Sequence, residues 1–103
     1  MFKLIFYVPT NCVEIVKNAI FKTGAGQLGN YSHCSWQVLG DGQFKPLSGS
    51  KPTLGSEGNI ERVKEFRVEI LCLEDNIKLA VDALKSSHPY EEVAYEVISL
   101  LNY

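Results

Sequence analysis

Long apolar runs are missing from this chain. No segment nears the about 20 consecutive apolar residues of a membrane-spanning helix. The opening MFKLIFYV is apolar but short, lacks a small-residue cleavage site and runs straight into Pro9, so it reads as a strand rather than a signal peptide. An excess of positive charge is missing too. Ten Lys and Arg against twelve Asp and Glu leave a net charge of −2, and the lysines are scattered rather than striped, which argues against nucleic acid as a partner. Cysteine is scarce: Cys12, Cys34 and Cys72 make neither a paired framework nor a CxxC spacing, as expected of reduced thiols. These absences point to a cytoplasmic protein that works away from membranes and nucleic acid. A chain of 103 residues, 46% of them hydrophobic, has room for one domain with a modest core spanning residues 1–103.

What is present is one pattern written twice. Phe2, Leu4, Phe6 and Val8 alternate with Lys3, Ile5 and Tyr7, the period-2 signature of a strand. Asn11 followed by Glu14 resembles a capping box, and Val13, Val16 and Ile20 then recur at helical spacing until Gly24. Ser32 to Leu39 reads as the next strand, with Cys34, Trp36 and Val38 on a buried face and His33, Ser35 and Gln37 opposite. The second copy opens on Phe66, Val68, Ile70 and Cys72. It continues through a helix capped by Asp75 or Asn76 with an Ile77, Ala80, Val81, Leu84 stripe, and Pro89 ends that helix. Val93 to Leu101 is expected to close the sheet as a strand covered on both faces. Between the copies, Gly40 to Asn59 reads as a loop excursion with Asp41 and Gly42 as its hairpin turn. The order β-α-β, excursion, β-α-β predicts an α+β, ferredoxin-like split βαβ sandwich, an antiparallel sheet with two helices on one face.

That topology leaves one sheet face without helices. Ile5, Tyr7, Leu71 and Leu73 share it with Lys3, Arg67 and Glu69, too apolar for a solvated surface, so self-association through it is expected; the competing expectation is that the excursion folds back over it.

Two strings interrupt the periodicity: TGAGQLGNYSHC from Thr23 to Cys34, and HPYEE from His88 to Glu92. Gly24 to Gly29 matches G-x-G-x-x-G, but a helix precedes it and a strand follows, the reverse of what a dinucleotide fingerprint requires. A helix C-cap and tight connection needing positive φ is the better reading, with a backbone anion nest as another. Cys34 reads as a buried, inert thiol and His33 as a hydrogen-bonding residue or ligand. His88, close to Glu91 and Glu92, suits a divalent transition metal or acid–base work, or equally a structural role in which Pro89 stops the helix and Tyr90 joins the core.

The two strings together, in this order and at these positions, resemble the insert domain of the YqfO-type, Nif-three-like family, also known as homologues of GTP cyclohydrolase type 2. HPYE is similar to a motif of the CutA family, and both belong to the PII-like ferredoxin folds. The resemblance covers nearly the whole chain. It implies a free-standing CutA-like or PII-like module in which Gly24, Gly26, Gly29, Asn30, Tyr31, His33 and Cys34 match one motif and His88, Pro89, Tyr90 and Glu91 the other. The dinuclear metal centre of that family is built by flanking domains and does not carry over to these residues.

The residues so assembled are Gly24, Gly26, Gly29, Asn30, Tyr31 and Tyr90 for a ligand, and His33, His88 and Glu91 for a metal. The usual strand order 4-1-3-2 puts the two strings at opposite ends of the sheet, so a site joining them would span a subunit interface. The function expected is a non-catalytic sensing or interaction module, a homo-oligomer with a trimer favoured, signalling to a protein partner. The alternative is a small enzyme or metal-binding protein using His88 and Glu91.

Overall fold

In the computed structural model, which describes all 103 residues, the alternating segment Phe2–Pro9 forms strand β1 at the heart of a four-stranded sheet. Helix α1 (Val13–Phe21), strand β2 (Trp36–Phe44), strand β3 (Glu61–Cys72), helix α2 (Glu74–Ser87) and strand β4 (Tyr95–Ser99) follow. The sheet order is β2-β3-β1-β4 and every neighbouring pair is antiparallel, the arrangement expected of the ferredoxin-like fold. Period-2 alternation explains the core. Leu4, Phe6 and Val8 of β1 and Val68, Ile70 and Cys72 of β3 project to one side, where α1 contributes Val13, Val16 and Ile20 and α2 contributes Ala80 and Leu84.

Several boundaries differ from expectation, each for a local reason. His33 sits at φ +59, which breaks extended geometry, so β2 starts at Trp36 rather than Ser32. Asp41 and Gly42 are not a turn. They lie inside β2, opposite Lys64 and Val63, and the hairpin closes farther out because β3 begins at Glu61 rather than Phe66. Neither helix uses the side-chain cap read from the sequence: α1 is entered through a 3-10 turn at Thr10–Cys12, and α2 begins after Leu73. Closing strand β4 is shorter than expected and is an edge, paired only with β1. It is not covered on both faces, since Val97 and Ile98 are exposed.

Register decides the facing of β2. Trp36 lies opposite Glu69 and Val38 opposite Arg67, so both stand on the helix-free face and are 57% and 43% exposed rather than buried; Cys34 is half-buried in the preceding loop. Alternation fixes which residues share a face, but it leaves open which face is covered. The helix-free face carries Ile5 at its centre, only 2% exposed, with Trp36, Val38 and Ile98 around it. Lys3 and Arg67 both pair with Glu69 on the same face, at 3.1 and 3.4 Å. The excursion folds back only over the Tyr7 and Glu65 end of this face and leaves Trp36, Val38 and Ile98 exposed.

Candidate functional site

The HPYEE turn is built by proline. Pro89 forces His88 out of helical geometry, to φ −74 and ψ 141, so α2 stops at Ser87 while the His88 amide still donates to the Leu84 carbonyl at 3.0 Å. The imidazole then points inward and is buried. Its Nε2 lies 2.7 Å from the Tyr7 carbonyl oxygen, and its Nδ1 accepts the Tyr90 backbone N–H at 3.1 Å. An Nδ1 that accepts from an amide leaves the ring proton on Nε2, donated to Tyr7. Burial lowers the His88 pKa, against smaller raising effects from the Tyr7 carbonyl and the Glu65 charge. The ring thus ties the end of α2 to the end of β1 in its neutral form.

The excursion is fastened to this turn. The Lys51 backbone N–H donates to both Glu91 carboxylate oxygens, at 3.1 and 3.3 Å, and the Thr53 hydroxyl donates to the Pro89 carbonyl at 2.7 Å. Between the fastened loop, the outer β2–β3 hairpin and the turn lies a cleft of about 610 Å³, with Tyr7, Phe44, Pro46, Leu54 and Tyr90 among its walls. Glu65 also lines it. A Cβ on Gly42 would overlap the Glu65 carboxylate, so glycine there is what lets Glu65 lie across the strand.

Tyr90 occupies an unusual position. Its hydroxyl is buried and faces the Glu65 carboxylate without a well-formed hydrogen bond, and its ring meets Phe44 at 5.9 Å and His88 at 4.9 Å between centroids. Burial, followed by the charge of Glu65, holds the phenol well above its usual pKa. An unsatisfied buried hydroxyl costs about 1–3 kcal/mol. Tyr90→Phe should therefore leave stability unchanged or raise it by up to about 1 kcal/mol in urea denaturation; a loss larger than that would mean the hydroxyl is already satisfied.

The glycine string builds a tight connection at the other end of the sheet. Gly24 at φ +93 ends α1, and Gly26 at φ +82 donates its N–H to the Leu71 carbonyl and accepts the Cys34 N–H, both at 2.8 Å. Gly29 and Asn30 turn the chain between Leu28 and Tyr31, which bridge each other. Tyr31 is 75% exposed, and the His33 ring packs on Phe21 at 4.9 Å while its Nδ1 meets the Ser32 hydroxyl at 2.9 Å.

Of the ligand residues read from the sequence, Tyr90 lines the cleft, whereas Gly24, Gly26, Gly29, Asn30 and Tyr31 belong to the distant loop. His33, His88 and Glu91 do not converge: the first sits at the Leu71 end of the sheet, the second at the Tyr7 end. Both nitrogens of His88 are engaged, Glu91 holds the Lys51 amide, and no three His, Cys, Asp or Glu side chains gather as a metal would require. Within one chain this donor set does not fit a divalent metal. Sequence reasoning missed Tyr7, Gly42, Phe44 and Glu65. The alternation of β1 fixed the facing of Tyr7, but nothing local announced that an outer hairpin would bring the other three beside HPYEE.

No family model matches the chain. Among curated proteins, the GTP cyclohydrolase 1 type 2 homologues of Mycobacterium leprae and Bacillus subtilis are 46% and 45% identical to it, over 96% and 92% of this chain. The chain spans only 26% of the length of each of these relatives. Among solved structures, the Bacillus cereus protein related to NIF3 superposes with a TM-score of 0.84 at 39% identity, over 98% of this chain and 26% of that one. CutA1 from Pyrococcus horikoshii superposes with a TM-score of 0.71 at 19% identity, over 100% of this chain and 86% of that one, a likeness of fold alone. Over nearly its whole length, then, the chain is a relative of one segment of the NIF3-related GTP cyclohydrolase 1 type 2 homologues, folded in the CutA-like, PII-like manner.

Proposed function

We propose that this chain is a non-catalytic sensing and interaction module that takes a small ligand in the cleft beside HPYEE and assembles with copies of itself through the helix-free sheet face. The observation that carries the reading is the fastening of the excursion to Glu91 and Pro89, which turns the outer hairpin and the HPYEE turn into the walls of one cleft. A volume of about 610 Å³ suits a small organic ligand. Tyr7 connects cleft and face: it lines the cleft, and its hydroxyl donates to Glu96 on the helix-free face at 3.2 Å. With both ring nitrogens committed to backbone groups, His88 serves the site by shaping it.

Assembly is supported by Trp36, Val38 and Ile98, exposed around the buried Ile5. Light scattering at tens of micromolar should give a multiple of the 11.5 kDa chain mass, with three favoured, and Trp36→Glu should shift the protein to monomer. A monomeric wild type at that concentration would remove the assembly half of the proposal. The ligand half is tested by titrating the nitrogen-15-labelled chain with small aromatic probes of positive, zero and negative charge: shifts gathered at the amides of Gly42, Phe44, Glu65 and Tyr90 support it, and the absence of any shift there with every probe removes it.

A further inference from the structure

We infer that the excursion between β2 and β3 is a lid, hinged where it leaves the hairpin and latched at its tip to the HPYEE turn, and that its release lets a ligand into or out of the cleft. This rests on the cleft being the ligand site and names how access to it is controlled. The loop is closed at its neck, where the Gly58 N–H donates to the Pro46 carbonyl at 2.8 Å, so residues 47–57 form an Ω-loop whose ends already meet. Bonds within it hold its shape. The Leu47 carbonyl accepts the Ser50 N–H at 3.1 Å and the Ser50 hydroxyl at 2.7 Å, and the Glu57 carboxylate accepts the Gly49 N–H at 3.4 Å.

What this loop lacks is burial. Between Lys45 and Ile60 only Pro46, at the neck, is buried; Leu47 and Leu54, which line the cleft, remain 70% and 39% exposed. With little apolar surface to hold it down, the loop keeps its closed position through the latch, in which the Lys51 N–H donates to both Glu91 oxygens and the Thr53 hydroxyl to the Pro89 carbonyl. The receiving side cannot follow it, because His88 pins the turn to β1. Breaking these bonds therefore separates a shaped loop from a fixed turn. The neck has room to pivot: Gly58, at φ +81, has nothing within 4 Å of where a Cβ would stand. Leu47, Ser50, Pro52 and Leu54 belong to the cleft wall, so release removes that wall, and a ligand touching it favours the latched state.

Solvent exchange of the Lys51 amide, followed by NMR on the nitrogen-15-labelled full chain, reads the latch. Thr53→Val is the sharpest variant, because the Thr53 side chain bonds to Pro89 and not to Lys51. It should speed Lys51 exchange about threefold as the loop lifts in one piece, with the amides of Gly58 and of β3 unchanged. Glu91→Gln, which trades a charged acceptor for a neutral one, should speed it about tenfold. Whichever of phenethylammonium, phenylethanol and hydrocinnamate shifts the amides of Gly42, Phe44, Glu65 and Tyr90 should slow it at least about fivefold at saturation. Lys51 exchange unmoved by Thr53→Val, or quickened together with Gly58 and β3, overturns the lid. A probe that binds in the cleft without slowing Lys51 also overturns the lid and leaves the ligand site standing, whereas binding by none of the three overturns the ligand half of the proposed function and the lid with it.

Discussion

Gly26→Ala should destabilise the protein by roughly 2–5 kcal/mol, the sum of a left-handed backbone forced on alanine and a steric clash that has no escape. Gly26 is buried at φ +82, and a Cβ there would lie 2.8 Å from Phe21 Cε1 and 3.0 Å from the Cys34 carbonyl oxygen. Neither neighbour yields easily. Phe21 is held against the core, and the Cys34 backbone is tied to Gly26 itself by a hydrogen bond. The two other glycines of the string calibrate the effect. Gly24→Ala meets only the Asn76 amide at the end of a flexible side chain, and Gly29→Ala meets nothing within 4 Å, so each should cost about 1–2 kcal/mol, mostly backbone strain. Urea denaturation of the three variants checks the ranking. Equal losses at Gly26 and Gly29 would mean that the close packing around Gly26 does not exist.

His88→Ala is the second large effect, a loss of about 2–4 kcal/mol. It removes two hydrogen bonds at once, leaving the Tyr7 carbonyl and the Tyr90 amide without partners, and opens a hole beneath the cleft. The same residue gives the protein a pH dependence of known sign. Burial holds the His88 pKa below its ordinary value of 6.5, so the unfolded chain takes up a proton at a pH where the folded one does not. The neutral ring's contribution is complete above 6.5 and is lost as the pH falls from there through the lowered folded-state pKa. In His88→Ala that part of the acid sensitivity should vanish. Denaturation midpoints of both proteins measured from neutral to mildly acidic pH provide the check, and parallel curves would contradict it.

Particular residues show how far the sequence could be read. Leu4, Phe6 and Val8 against Val68, Ile70 and Cys72 announced both central strands and their inward face, because a half-buried strand writes its period of two into the chain. Gly24 and Pro89 announced the two helix ends, since each acts through its own backbone. The course of β2 was not legible. His33, a non-glycine residue at positive φ, delays its start, and Gly42, which looks like a turn residue, serves instead as a gap for a side chain of the neighbouring strand. The candidate site was legible only in part for the same reason. HPYEE pointed to the right end of the sheet, but the inward turn of His88 and the approach of Phe44 and Glu65 depend on β2–β3 pairing and on the loop anchored at Glu91.

His88 is a neutral strut that shapes the cleft, and a long-range nitrogen–proton correlation spectrum of its imidazole tests this most directly. The predicted result is the Nε2–H tautomer, a midpoint below 6.5, and no change on adding an equivalent of zinc. A proton on Nδ1, a midpoint at or above 6.5, or a zinc-dependent shift of either ring nitrogen would contradict it.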